Sequence, residues 1–344
     1  MSCNMADKLD RNCSNKEGWH PRPRGAVLSR PASAAYTMGA RQTKRLTRDV
    51  ILVPTATATD TSPQAIAVGS TADATAAIGI ALLANVPVAL RGAPGTGKTS
   101  LVRSIADALR WPIHTMTCTI QDATDFAGMS YLSGNGTLDT RTMRASLQWA
   151  VALAGESVKC GGNGLLFFDD IAYAPPSVQN ALLQIVQEKR VGDFQLPFGV
   201  RCAAALNPLD TAASMRLLTA PLAYRMVHIT WAPDADSWAD GNLNGWRLAL
   251  PTFPEKWQHG FAATRAKVTA FIRSRPSFLH SEPAGETAQG GPWPSGRTWE
   301  MVSTLLSACD AAGATAEVRS LLTAGAVGET AAAEYLAWEA DRPR

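Results

Sequence analysis

The chain has 344 residues, 46% of them hydrophobic, which suits a globular protein of one large domain or two ordinary ones. Its formal net charge of +3 is carried by the amino-terminal tail: Met1 to Arg48 holds ten Lys or Arg against three Asp or Glu, while the remainder holds 22 against 26. The body is therefore net negative, which counts against nucleic acid as its partner, and no apolar run reaches the eighteen or so residues of a membrane helix or forms the core of a signal peptide.

Residues 1–64 lack an apolar period, include Pro23, Gly25, Pro31 and a Thr-rich stretch, and are expected to be a disordered basic tail and linker, with Met38 as a second candidate start. A cytoplasmic location is expected. The six cysteines, at 3, 13, 118, 160, 202 and 309, contain no CxxC pair and read as reduced thiols. From Ala65 to Ala84 the spacing of Ile78, Leu82 and Leu83 predicts a helix. The apolar run Val86 to Leu90 follows as a short buried strand. It leads into Gly92-Ala93-Pro94-Gly95-Thr96-Gly97-Lys98-Thr99, which fits the phosphate-cradling pattern GxxxxGK[ST], and Leu101, Val102, Ile105 and Leu109 leave it at helical spacing. Strand, loop and helix stand in the order the chemistry requires. The glycines let backbone N–H groups converge on phosphate oxygens, and the new helix points its positive end at them. Gly92 through Ser100 are thus the expected ATP contacts, with Lys98 on the β and γ phosphates and Thr99 on Mg²⁺.

Pro112 to Thr119 alternates like a second strand, and Gly134-Asn135-Gly136 within Tyr131 to Thr140 predicts a hairpin. Leu165-Leu166-Phe167-Phe168-Asp169-Asp170 has the continuous apolar character of a parallel strand buried on both faces. Ligands of open α/β sheets sit beyond the carboxyl ends of the strands, so Asp169 is expected to complete the Mg²⁺ shell and Asp170 to orient or deprotonate the attacking water. A helix from Pro175-Pro176-Ser177 follows, then a second hairpin around Arg190 to Phe194 and a strand Val200 to Leu206 that Pro208 stops. Asn207, at that strand's end, is placed to hold the γ phosphate or the water. Arg225 precedes a fifth strand, Met226 to Ile229, and so lies away from the catalytic edge, where it could serve a neighbouring subunit's nucleotide. Beyond Pro233 a smaller module begins, with Trp231, Trp238, Trp246 and Trp257 expected as core, a helix from Phe261, and a further helix carrying Trp299, Val302, Leu305 and Leu306. Ser295 is its expected cap. Arg297, in its first turn, is poorly matched to the helix dipole and hints at an external anion.

Taken together these motifs resemble the MoxR group of AAA+ ATPases from about Ala65 to Leu322, most specifically in the stretch from Asp169-Asp170-Ile171-Ala172-Tyr173-Ala174-Pro175-Pro176-Ser177 to Leu183. The resemblance implies an α/β fold: a P-loop AAA+ core with a five-stranded parallel sheet at 65–232, followed by a smaller helical lid domain at 233–344. It identifies Gly92 to Thr99 as Walker A, Asp169-Asp170 as Walker B, Asn207 as sensor 1, Arg225 as the arginine finger and Arg297 as sensor 2. It also implies ATP hydrolysis, a homo-oligomeric ring of six, and a protein client, with a von Willebrand factor A-domain protein as an expected partner. Two positions depart from the family pattern. Walker B there ends Asp-Glu, and here Asp170 is one methylene shorter; sensor 2 follows Ser-Pro, and here it follows Ser295-Gly296.

Overall fold

The computed structural model describes residues 69–133, 141–144, 147–207, 218–244, 248–254, 256–285 and 289–341. The expectations for the 1–64 tail, for the Asn135-Gly136 turn and for Trp246 fall outside them. Helix α1 (Thr71–Leu83), capped by the Ser70 hydroxyl, precedes strand β1 (Val88–Arg91), and the P-loop leads into α2 (Lys98–Leu109). Strand β2 (Ile113–Thr117) and the short α3 (Thr124–Ala127) follow. The expected hairpin is present as antiparallel β3 (Ser130–Ser133) and β4 (Arg141–Arg144). Next come α4 (Gln148–Lys159), β5 (Gly164–Asp169) and α5 (Pro176–Glu188), the last with proline in its first turn, where the missing N–H costs nothing. A small hairpin, β6 (Arg190–Val191) and β7 (Phe194–Gln195), leads to β8 (Val200–Leu206), and α6 (Ala220–Ala223) leads to β9 (Val227–Thr230).

Five strands form one parallel sheet in the order β2-β5-β8-β1-β9. Every catalytic candidate that follows a strand therefore emerges on one edge, while Arg225, which precedes one, lies on the other. The sheet is buried on both faces, and alternate residues divide between two cores: Leu90, Phe167, Ala205 and Ile229 face α1, α2 and the carboxyl-terminal helices, and Ala89, Phe168, Ala204 and Leu206 face α4 and α5. Leu101, Val102 and Ile105 dock α2 on the first face, each buried side chain stabilising the fold by about 1.5–3 kcal/mol. This helix starts where the P-loop needs it because its apolar stripe has only that face to cover.

The helical lid comprises α7 (Ala235–Asn244), α8 (Phe261–Ser274), α9 (Gly296–Ala312), α10 (Ala316–Val327) and α11 (Glu329–Ala340). Its apolar side chains, including Phe271, Trp299, Val302, Leu306, Leu322 and Tyr335, continue the core on the α1 face. Ser295 caps α9 in a reciprocal box with Thr298, worth about 1 kcal/mol. Of the tryptophans expected as core, Trp231 is buried, Trp257 is half-buried against the α1-face core, and Trp238 is exposed. No described helix is long and apolar enough to cross a membrane.

Candidate functional site

The carboxyl edge of the sheet gathers the P-loop from β1, Asp169 and Asp170 from β5, and Asn207 from β8. Gly95 and Gly97 have φ of +80° and +83°, and no atom lies within 4 Å of where a Cβ would stand on either. An L side chain would be strained there, and the loop's concave side is open. Gly92 is needed for a different reason: a Cβ on it would come within 2.4 Å of the Trp231 carbonyl oxygen. Trp231 also donates its indole N–H to the Thr96 carbonyl at 2.8 Å, so a buried tryptophan just beyond β9 props the loop from below. Helix α2 begins at Gly97 with no side chain capping its first N–H groups. Those donors are what an incoming phosphate would satisfy.

Lys98 is buried, and its Nζ donates to the carbonyls of Gly92 (2.7 Å) and Ala93 (3.0 Å) and to Asn207 Oδ1 (2.8 Å). Burial lowers its pKa, against the opposing pull of Asp170 and Asp169. Burial also raises that of Asp170, helped by neighbouring Asp169 and resisted by Lys98. Thr99 Oγ1 donates to Asp169 Oδ2 at 2.8 Å, so the two expected Mg²⁺ ligands already touch. Among the described residues no group of three or more His, Cys, Asp or Glu could hold a metal alone. That donor set fits Mg²⁺, which takes one or two protein oxygens and completes its shell with phosphate and water. Asn207 Nδ2 donates to the Tyr173 hydroxyl at 3.3 Å, a contact the sequence reading did not anticipate. Asp170 itself has φ of +55°, left-handed backbone that turns the chain out of β5 into the Ile171–Tyr173 turn.

Arg225 and Arg297 do not join this group. Both line a cavity of about 300 Å³ at the amino edge of the sheet, with Pro87, Gln187, Phe198 and Glu300. Arg225 Nε donates to Gln187 Oε1 at 2.9 Å and the same side chain bonds the Pro221 carbonyl. Its guanidinium lies 4.8 Å from the Tyr224 ring centre and that of Arg297 lies 6.0 Å from it. Tyr224 thus seats both cations, and Trp293 packs edge-on against it at 5.4 Å. Arg297, expected as sensor 2, stands in the first turn of α9, which Trp299 and Val302 anchor so that this turn emerges beside Arg225.

Comparison with known families bears on the sheet and its carboxyl edge. Residues 87–226 match the family described as AAA domain, dynein-related subfamily. With its five-stranded parallel sheet and helical carboxyl-terminal region, the described chain has the fold of an AAA+ core followed by a lid. The match spans the P-loop, Asp169, Asp170, Asn207 and Arg225, and stops short of the lid and Arg297. No curated protein matches the chain. Among solved structures, a protein from Cytophaga hutchinsonii described as a candidate ATPase is 13% identical, with a TM-score of 0.44 over 73% of this chain and 79% of that one. A full-length MCM homolog from Methanopyrus kandleri is 14% identical, with a TM-score of 0.37 over 73% and 55% of the two chains. Hsp104, in a closed state with ATPγS and FITC casein, is 18% identical, with a TM-score of 0.27 over 36% and 21%. Three aromatic residues also shape the two edges: Trp231 holds the Thr96 carbonyl, the Tyr173 hydroxyl accepts from Asn207, and Tyr224 seats the two guanidinium groups.

Proposed function

We propose that this chain is a MoxR-like AAA+ ATPase, with 65–232 as nucleotide-binding domain and 233–344 as lid, that couples ATP binding and hydrolysis to remodelling of a protein partner. The observation that carries the reading is a division: Lys98, Thr99, Asp169 and Asn207 bond in pairs on one edge of the sheet, and two arginines with no acid partner among the described residues sit on the other. One chain holds two incomplete halves, and two copies placed edge to edge complete a site. Closure of such contacts gives a ring, for which six copies are the expected number. Bound Mg²⁺ would neutralise charge on the transferred phosphoryl group from Thr99 and Asp169. Lys98 leaves the Gly92 and Ala93 carbonyls to bind the β and γ oxygens, Asn207 uses its amide N–H toward the γ phosphate, and Asp170 orients the attacking water and takes its proton. Arg225 and Arg297 of the next copy stabilise the developing charge. In the cytoplasm, a protein bearing a von Willebrand factor A domain is the partner to seek.

Asp170 favours a second reading, a nucleotide-gated scaffold that assembles with ATP and hydrolyses little, because its carboxylate is shorter than the family's. Mixing separates these. Arg225→Ala and Lys98→Ala subunits, each inactive alone, should together regain hydrolysis wherever an intact P-loop meets an intact Arg225. A chain that stays monomeric with ATP and shows no rescue contradicts the divided site, and one that assembles with ATP but turns over at background rate is the scaffold.

A further inference from the structure

Arg91 and His228 form a buried pair that the nucleotide chemistry above does not use. Arg91 is the last residue of β1, directly before Gly92, and burial brings its guanidinium pKa down to about 10. Its Nε donates to His228 Nδ1 at 3.1 Å, and a terminal nitrogen donates to the Gly290 carbonyl. His228, fully buried in β9, bonds the Ala223 carbonyl through Nε2 at 2.9 Å. Since Nδ1 accepts from Arg91, the ring proton is on Nε2 and the imidazole is neutral. Among the described residues no carboxylate pairs with Arg91. A guanidinium taken out of water without a counter-ion is held at a cost that an apolar residue would avoid, so its retention needs a reason.

What the pair connects supplies one. Ala223 is two residues before Arg225, and Gly290 opens the segment that runs through Trp293 to Arg297. We propose that Arg91, acting through His228, is a positioning residue for the donated arginines: it fixes the Ala223 and Gly290 carbonyls against the strand that bears the P-loop, so that Arg225 and Arg297 stand where a neighbouring copy's phosphates need them. The inference rests on the divided site proposed above and goes further, since it ties the geometry of the donating edge to a residue touching the accepting one.

A merely structural Arg91 would damage the P-loop beside it or the fold; a positioning Arg91 damages only what the subunit gives to its neighbour. The test uses full-length Arg91→Met, alone and in two mixtures. Alone it should bind ATP within about twofold of wild type while kcat falls about ten- to a hundredfold, the effect of arginines displaced by an ångström or so. Mixed with Lys98→Ala, which donates intact arginines, its hydrolysis should recover. Mixed with Arg225→Ala, which does not, it should stay low. The proposal is overturned if Arg91→Met loses ATP binding, or if Lys98→Ala rescues Arg225→Ala but fails to rescue Arg91→Met. If Lys98→Ala rescues neither, the divided site itself is wrong and the inference falls with it. Should Arg91→Met fail to fold, His228→Leu, which removes both of the ring's hydrogen bonds, goes through the same mixtures with the same outcomes.

Discussion

The two edges of the central sheet differ in how far their polar groups are satisfied within one chain. At the carboxyl edge Lys98, Asn207, Thr99 and Asp169 bond one another, and the part left open is the set of backbone donors of the P-loop and α2. At the amino edge Arg225 and Arg297 find an aromatic ring, an amide and a carbonyl, but no acid among the described residues. One edge presents donors that suit an anion. The other presents cations that suit one too. A protein that needed both halves in one chain would have folded them to the same edge, and the parallel sheet forbids that for Arg225, because residues before a strand and residues after it lie a strand's length apart. The separation is therefore topological, and the assembly proposed above is what would join the two halves.

The largest expected effect breaks the amino edge alone. Arg225→Ala should lower kcat by about a thousandfold with ATP affinity nearly unchanged, because a cation donated to the transition state contributes little to ground-state binding. Steady-state hydrolysis set beside nucleotide titration tests this, and a matching loss of affinity would place Arg225 in its own chain's site. Next in size, Lys98→Ala should weaken ATP binding by about a hundredfold, two charge-assisted hydrogen bonds being worth roughly 3 kcal/mol together. Fluorescent-nucleotide titration showing equal affinity would remove the P-loop from the site.

The carboxyl edge was legible in the sequence because its parts are contiguous or terminate strands. A glycine pattern, an apolar run ending in Asp169-Asp170 and a strand stopped by Pro208 each announce themselves locally. The same rule read backwards puts Arg225, which precedes a strand, on the other edge. The position of Arg297 was not legible, since it depends on where α9 starts relative to the sheet, and that is set by the packing of Trp299, Val302 and Leu305 far from the P-loop in sequence. Arg91 and His228 were missed for a related reason. Within a strand an Arg reads as an end residue and a His as a polar position, and their partners are carbonyls, which carry no sequence signal.

The link between the edges has a pH signature. Burial, with the Arg91 charge adding to it, depresses the His228 pKa to about 3 in the folded protein, against about 6.5 when unfolded. Between those values the unfolded chain binds a proton that the folded chain does not. Stability from this residue is therefore complete above about pH 6.5 and is lost as pH falls toward 3, by about 2 kcal/mol at pH 5. Urea unfolding of wild type at pH 7 and pH 5, compared with His228→Leu, should show the variant losing less by that amount. Equal losses would mean that His228 is charged when folded, and the Arg91 hydrogen bond could not then exist as drawn.

The smallest expected effect is that of Asp170→Glu, at a position where the chain departs from the family it resembles and where the structure supplies a reason. The residue has φ of +55°, a conformation that aspartate and asparagine tolerate better than longer side chains do. Glutamate there would reach one methylene further toward the water but would fit the backbone less well. Asp170→Glu is accordingly expected to raise kcat by about tenfold, less than the roughly hundredfold that a misplacement of 1 Å can cost, while lowering stability by about 0.5–1 kcal/mol. Asp170→Asn keeps the turn and should leave stability unchanged, yet it removes the carboxylate that takes the proton, so hydrolysis should disappear. Single-turnover rates and melting temperatures of the three proteins separate reach from backbone fit. A slower Asp170→Glu with an unchanged melting temperature would show that the aspartate already reaches the water and that its backbone conformation is how it does so. An Asp170→Asn that hydrolyses at the wild-type rate would remove Asp170 from the chemistry and leave Asn207 and Lys98 to place the water without a base.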